Sequence, residues 1–121
     1  MARTSYQTYD FICFSSLLYE LSDSESVITE KKIKRLLRYY GLGPYQQERI
    51  DLIRAIKEDL RKEFSLRAKS QYFVDSENEL DEMEDFELDK MKSDYLKKYK
   101  SISDTDMMEF LKSAIYLYYL R

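Results

Sequence analysis

The sequence predicts an all-α protein, a bundle of four to five helices forming one domain over residues 1–121. Two observations lead to this prediction. Apolar residues recur at spacings of three and four along most of the chain, which is the period of an amphipathic helix. The 121 residues include only two glycines and one proline, so few residues interrupt a helix. A chain of this length can also bury a core of its own.

The first helix is indicated by an apolar stripe near the N-terminus. Phe11, Phe14, Leu18 and Leu21 fall on one face at helical spacing. A polar cluster, Ser22 to Ser26, follows this stripe and is typical of a loop. We therefore expect the first helix to end near residue 21.

The second helix is predicted to begin near Thr29, because a threonine side chain can accept a hydrogen bond from the first turn of a helix. Its apolar stripe comprises Ile33, Leu36, Leu37 and Tyr40. Immediately afterwards comes the stretch that contains both glycines and the only proline.

That stretch, Gly41-Leu42-Gly43-Pro44, predicts a tight corner between the second and third helices. Gly41 stands where a helix commonly ends in a left-handed residue, a conformation that strains other side chains. Pro44 suits the first turn of the next helix, since its missing N–H is not needed there, and the joint would then be about three residues long. The third helix is long and carries Ile53, Ile56, Leu60 and Phe64 on its buried face.

The last third of the chain begins with an acidic segment, about residues 73–89, which holds nine Asp or Glu and no Lys or Arg. Helical spacing resumes afterwards, so a fourth helix is expected to begin near Glu79. Ser103 followed by acids predicts the start of a fifth helix. Its apolar face comprises Met107, Phe110, Leu111, Ala114, Ile115 and Tyr118.

The composition argues against several classes of function. The chain has no histidine, which is the commonest general base and metal ligand, so we predict that it is not an enzyme and has no catalytic residues, metal, cofactor or small-molecule substrate. Its single cysteine, Cys13, cannot form an internal disulfide and is predicted to be a buried, inert thiol in a reducing compartment. The apolar run from Ala114 to Leu120 is too short to span a bilayer. The N-terminus shows no secretory signal.

A basic cluster in the second helix is a candidate binding surface. Residues 29–72 carry a net charge of +6, and the cluster lies away from the apolar stripe. Such residues can neutralise phosphates. The alternative is an ordinary solvated face. The candidate residues of this cluster are Lys31, Lys34, Arg35 and Arg38.

The acidic segment offers a second candidate. A calcium loop is excluded because the positions of the bending glycine and of the bidentate glutamate are Leu80 and Phe86. Carboxylates on this segment could instead imitate nucleic acid in a basic cleft of another protein. The alternative is again a solvated charge run. The candidate acidic residues are Asp81, Glu82, Glu84 and Asp85.

Tyrosine is abundant, with 12 residues, and it is enriched at protein interfaces. The C-terminal stretch IYLYYLR is apolar almost all round, which is typical of a central helix or of a docking surface. A core helix that also contacts a partner would account for Tyr116 and Tyr119 together.

The segment Tyr39-Tyr40-Gly41-Leu42-Gly43-Pro44 and the arginine-bearing helix after it resemble part of the coat proteins of rod-shaped and filamentous archaeal viruses. The resemblance covers about residues 33–62. It implies a four-helix bundle that forms part of a virion and packages double-stranded DNA. Related bundles occur in spindle-shaped archaeal viruses, and one of them is adapted to inhibit host RNA polymerase. By position, it implies a nucleic-acid or partner face made of Lys34, Arg35, Arg38, Arg49 and Arg54.

The chain departs from that family in its net charge of −3 and in having only Arg3 as a basic residue in its N-terminal arm. These differences favour protein–protein contact. The leading hypothesis is a virion structural protein that self-associates through tyrosine-rich helices, located in the virion or the host cytoplasm. One alternative is a regulator that inhibits a host nucleic-acid enzyme such as RNA polymerase through the acidic segment. The other is a DNA-binding module that uses the basic helix at residues 30–40.

Overall fold

The structure, a computed structural model, describes residues 7–20, 23–74 and 82–120. Within these ranges it is all-α, as predicted, with five α-helices and no strand. The chain divides into two compact units, residues 1–55 and residues 56–121. The boundary falls inside the third helix, and the single domain expected from the sequence stays a prediction.

The first unit contains two complete helices and the beginning of a third. Helix α1 (Tyr9–Leu18) packs against α2 (Ser26–Tyr39), and α3 (Gln47–Ser65) starts within this unit. The Thr8 hydroxyl caps α1 by accepting a hydrogen bond of 3.1 Å from the backbone N–H of Phe11. Fully buried side chains of this unit are Cys13, Phe14, Leu17, Ile33, Leu37, Ile50 and Ile53.

The start of α2 differs from the prediction. The helix begins at Ser26, so Thr29 lies inside its first turn and does not cap it. The Thr29 hydroxyl instead donates to the carbonyl oxygen of Glu25 at 3.1 Å. The polar residues before Thr29 looked like a loop, yet small polar residues are also common at helix starts. Leu21, the last residue of the predicted first stripe, lies outside the described residues, and α1 ends at Leu18.

The corner after α2 confirms one part of its prediction and corrects another. Gly41 and Gly43 both adopt positive φ angles, +63° and +101°. Pro44 is not in a helix, because α3 begins only at Gln47. The connection therefore comprises seven residues, 40–46, instead of three. The Tyr9 hydroxyl holds it by accepting from the Gln46 N–H and donating to the Pro44 carbonyl, both at 2.9 Å.

The second unit contains the end of α3, then α4 (Leu88–Lys98) and α5 (Asp104–Ile115), which pack together. Short 3-10 turns cover residues 67–69 and 83–85, and a π-helical turn covers residues 116–120. Ser103 caps α5 as predicted, accepting a bond of 3.1 Å from the Asp106 N–H. Most of the predicted buried faces are confirmed: fully buried side chains include Ile56, Leu60, Phe64, Met107, Phe110, Leu111, Ala114 and Ile115. Tyr118, which was predicted on the face of the fifth helix, is half-buried and lies in the π-helical turn beyond α5.

Helix α4 begins later than predicted. Glu79, the expected start, lies outside the described residues, but Glu82 and Phe86 are in extended backbone and the helix starts at Leu88. Phe86 is buried and pairs with Phe73 in a single antiparallel bridge. Its ring also stands edge-on to the rings of Phe64 and Tyr119, at 5.0 and 4.8 Å between centroids. This aromatic cluster fixes the backbone before α4 in an extended form.

None of the helices in the described ranges is long and apolar enough to cross a membrane.

Candidate nucleic-acid interface

Helix α2 presents a basic face to solvent. Thr29, Ile33 and Leu37 are its buried side chains, so the cations between them point outward. Glu30 is the only acid within the helix. Among the described residues, no carboxylate pairs with Lys31, Lys32, Arg35 or Arg38. The exposed cations of this basic face are Lys31, Lys32, Lys34, Arg35 and Arg38.

Lys32 was not singled out from the sequence, although its position outside the apolar stripe could have identified it. Lys34, which was predicted as a binding residue, already contacts two side chains. Its ammonium group lies 2.7 Å from a Glu30 carboxylate oxygen and 5.1 Å from the centre of the Tyr45 ring. Both members of the ion pair are exposed, so the pair contributes little to stability. The contact with the Tyr45 ring places the Lys34 ammonium group beside the corner.

A depression of about 560 Å³ lies where α2 meets the corner. Gly41 and Gly43 leave open space where other residues would carry a side chain. The depression thus combines an apolar floor, an aromatic ring and two cations. It is lined by Lys34, Leu37, Arg38, Gly41, Gly43, Pro44 and Tyr45.

Large apolar and aromatic side chains are exposed at both ends of α2. Val27 and Ile28 at its start are 62% and 70% exposed. Tyr39 and Tyr40 at its end are 78% and 40% exposed, and their rings are perpendicular with centroids 4.9 Å apart. Exposed side chains of this size beside cations are typical of a binding surface.

Arg49 and Arg54, which were also predicted as binding residues, both form ion pairs with carboxylates. Arg49 donates from Nε and Nη2 to both carboxylate oxygens of Asp10, at 2.8 and 2.6 Å. Arg54 makes the same two-bond contact with Glu20, both bonds at 3.0 Å. The hydrogen bonds that Arg54 donates to Glu20 raise the pKa of Arg54. Arg49 thus connects α3 to Asp10 in α1, and Arg54 connects α3 to Glu20, which lies two residues after the end of α1.

The predicted acidic set is largely absent from the described surface. Asp81 lies outside the described residues. Asp85 is buried and accepts hydrogen bonds from the Glu82 N–H, at 3.0 Å, and from the Tyr119 hydroxyl. Glu82 is half-buried and its side chain completes a capping box with Asp85, which leaves Glu84 as the exposed carboxylate of those described.

Several tyrosines have structural hydrogen bonds inside the second unit. Tyr72 donates to Asp94 at 2.7 Å, and Tyr99 donates to Asp59. Burial, reinforced by the Asp59 hydrogen bond, raises the pKa of Tyr99 to about 12. The abundance of tyrosine is therefore explained in part by buried rings whose hydroxyls need partners.

The C-terminal tyrosines have different environments. Tyr119 is buried, whereas Tyr116 is 60% exposed. The Arg67 guanidinium lies over the Tyr119 ring, 4.4 Å from its centre. Core packing thus accounts for Tyr119, and only Tyr116 of this pair is presented to solvent.

Two observations on the described part of the chain concern reactive groups. Cys13 is fully buried, and burial raises the pKa of its thiol to about 12, so the reactive thiolate is scarce at neutral pH. Across residues 7–20, 23–74 and 82–120, no group of three or more acidic or cysteine side chains is placed to hold a metal ion.

No protein-family model, curated protein or solved structure matches this chain. The resemblance to archaeal viral coat proteins therefore depends on residues 39–44 and the helix after them, and it stays a prediction.

Proposed function

We propose that this protein is a non-enzymatic nucleic-acid-binding protein that uses the basic face of α2 to contact phosphates. One observation carries the proposal: four of the five cations on this face have no carboxylate partner among the described residues. Lys31, Arg35 and Arg38 are spaced i, i+4 and i+7, so they form one row about 10 Å long.

The expected binding mode is electrostatic. The exposed polar side chains of helix α2 are mainly Lys and Arg, which can neutralise phosphates whatever the base sequence. Binding by three or four cations releases a similar number of counterions. The logarithm of the affinity should then fall with the logarithm of salt concentration, with a slope of about −3 for duplex DNA and about −2.5 for a single strand.

The test is a fluorescence anisotropy titration of labelled DNA at several salt concentrations. We expect the double variant Arg35→Glu, Arg38→Glu to weaken binding by at least about tenfold and to flatten the salt dependence. The matched control, Lys97→Glu with Lys100→Glu, changes net charge equally at exposed lysines elsewhere. Equal losses in both variants, or no salt-sensitive binding by the unaltered protein, would contradict the proposal.

A second candidate function is a self-associating structural protein of the coat type. It is favoured by the exposure of Val27 and Ile28 on adjacent positions of α2. Light scattering over a range of protein concentrations tests it. Oligomers that disappear in Ile28→Glu would support this function, whereas an unaltered protein that is monomeric at every concentration would argue against it.

A further inference from the structure

We infer that the nucleic acid bound by the basic face is single-stranded, with unpaired bases contacting Tyr39 and the depression at the corner. This inference rests on the proposed function and specifies its substrate class. The relevant observations are the position and exposure of Tyr39, the shape of the depression and the placement of cations around both.

Tyr39 lies beside the row of cations on α2. Lys32, Arg35 and Tyr39 are spaced i, i+3 and i+7, so the ring lies on the same face as the two charges. At 78% exposure, most of the ring is available to a ligand. The perpendicular ring of Tyr40, 4.9 Å away, limits the orientations that Tyr39 can adopt. Phosphates on the cations would therefore place the next base beside an aromatic surface.

Stacking on a side chain requires an unpaired base. In a duplex, the faces of the bases are covered by their neighbours, whereas a single strand can turn its bases toward aromatic rings. A duplex would gain from the cations of α2 but not from Tyr39. The combination of a cation row with an exposed ring thus favours a single strand.

The depression at the corner can receive a second base. Its volume of about 560 Å³ falls in the range of small-molecule sites, and it offers the half-buried Tyr45 ring as an apolar surface, with the buried Leu37 beneath it. Lys34 and Arg38 at its edge provide charge for the adjoining phosphate. Gly43 presents bare backbone, which a base can approach closely.

Side-chain contacts connect the walls of this depression. The Tyr45 hydroxyl donates to the Gln47 side chain at 3.2 Å, and the Lys34 ammonium group lies 2.7 Å from a Glu30 carboxylate oxygen and 5.1 Å from the centre of the Tyr45 ring. Any ordering that these contacts give reduces the entropy lost on binding. Both DNA and RNA carry the phosphate and base chemistry that this site would recognise.

The experiment compares single-stranded oligo-dT, oligo-rU and a DNA duplex of equal length by anisotropy under one salt condition. We expect both single strands to bind more tightly than the duplex. Tyr39→Ala and Tyr45→Ala should each weaken single-strand binding by about 5- to 150-fold, the range for losing one stacked base, and change duplex binding by less than about twofold. Tyr39→Phe should retain affinity, and the control Tyr116→Ala, an exposed tyrosine outside α2 and the corner, should match the unaltered protein.

Other outcomes separate the inference from the proposed function. If the duplex binds as tightly as the single strands and Tyr39→Ala has no effect, while the α2 charge reversal still weakens binding, the single-strand inference is wrong and the proposed function stands. If no nucleic acid binds in a salt-sensitive way, both are wrong. An acidic polypeptide that competes as well as oligo-dT would also overturn the inference, since it has no bases to stack.

Discussion

Arg49 of α3 and Asp10 of α1 form a two-bond ion pair, with Nε–Oδ1 and Nη2–Oδ2 distances of 2.8 and 2.6 Å. The two residues are 39 positions apart in sequence, and both side chains are partly buried. The pair therefore connects two helices of the first unit and satisfies two partly buried charges.

The Asp10–Arg49 pair should matter for stability. We expect Asp10→Ala to lower the free energy of unfolding by about 1–2 kcal/mol, because it removes the two hydrogen bonds that a partly buried guanidinium donates to Asp10. Urea unfolding followed by circular dichroism measures this change. Glu30→Ala removes an exposed ion pair instead and should change stability by less than about 0.5 kcal/mol. A loss in Asp10→Ala no greater than in Glu30→Ala would contradict the expectation.

The corner should depend on the Tyr9 hydroxyl and on the left-handed residue Gly41. Tyr9→Phe keeps the ring but removes both hydrogen bonds, so the Gln46 amide should exchange faster with solvent and stability should fall by about 1 kcal/mol. Gly41→Ala should lower stability by about 1 kcal/mol because its φ of +63° strains an alanine. Gly41→Asn, which tolerates this conformation better, should recover part of that loss. Unchanged exchange at Gln46 in Tyr9→Phe would show that the hydroxyl does not hold the corner.

The Tyr99–Asp59 hydrogen bond should give the protein a defined pH dependence. The pKa of Tyr99 is raised from 10.0 to about 12, so its contribution to stability is complete below pH 10 and is lost as pH rises through 12. The pKa of Asp59 is lowered: burial opposes this shift, but the hydrogen bonds from Lys98 and Tyr99 outweigh burial. Its contribution is present above its ordinary pKa of 3.8 and is lost as pH falls through the lower value in the folded state.

The pKa of Tyr99 can be measured by titrating phenolate absorbance in the unaltered protein and in Tyr99→Phe and comparing the two curves. The signal missing in Tyr99→Phe should titrate near pH 12. A missing signal that titrates near pH 10 would contradict the role of burial and Asp59. Asp59→Asn is the matched variant for the acid part, and it should make stability less dependent on pH below 4.

The helices themselves were predictable because their signal is local. Ile53, Leu60 and Phe64 follow the period of one helix, and all three are fully buried. Gly41 was predictable for the same reason, since few residues other than glycine end a helix with a positive φ. Each of these features depends on residues within a few positions of one another.

The candidate site was only partly predictable, because the use of a charged residue depends on distant partners. Arg49 and Arg35 look equivalent in the sequence, yet Arg49 pairs with Asp10 and Arg35 has no partner in the described part of the chain. In the sequence Asp85 is one of many acids in an exposed-looking segment, but in the structure it is buried and accepts a hydrogen bond from the Tyr119 hydroxyl, 34 residues later. The depression at the corner escaped prediction because its shape follows from the delayed start of α3.

The two hydrogen bonds of Tyr9 reach across 35 and 37 residues to Pro44 and Gln46. The Tyr9 hydroxyl oxygen thus pairs with backbone groups that, in most turns, would pair with the main chain of a neighbouring residue. The conformation of residues 44–46 is thus encoded non-locally. An isolated peptide covering the corner should sample many backbone states, and the surface beside it acquires one shape only when the N-terminal helix has already formed.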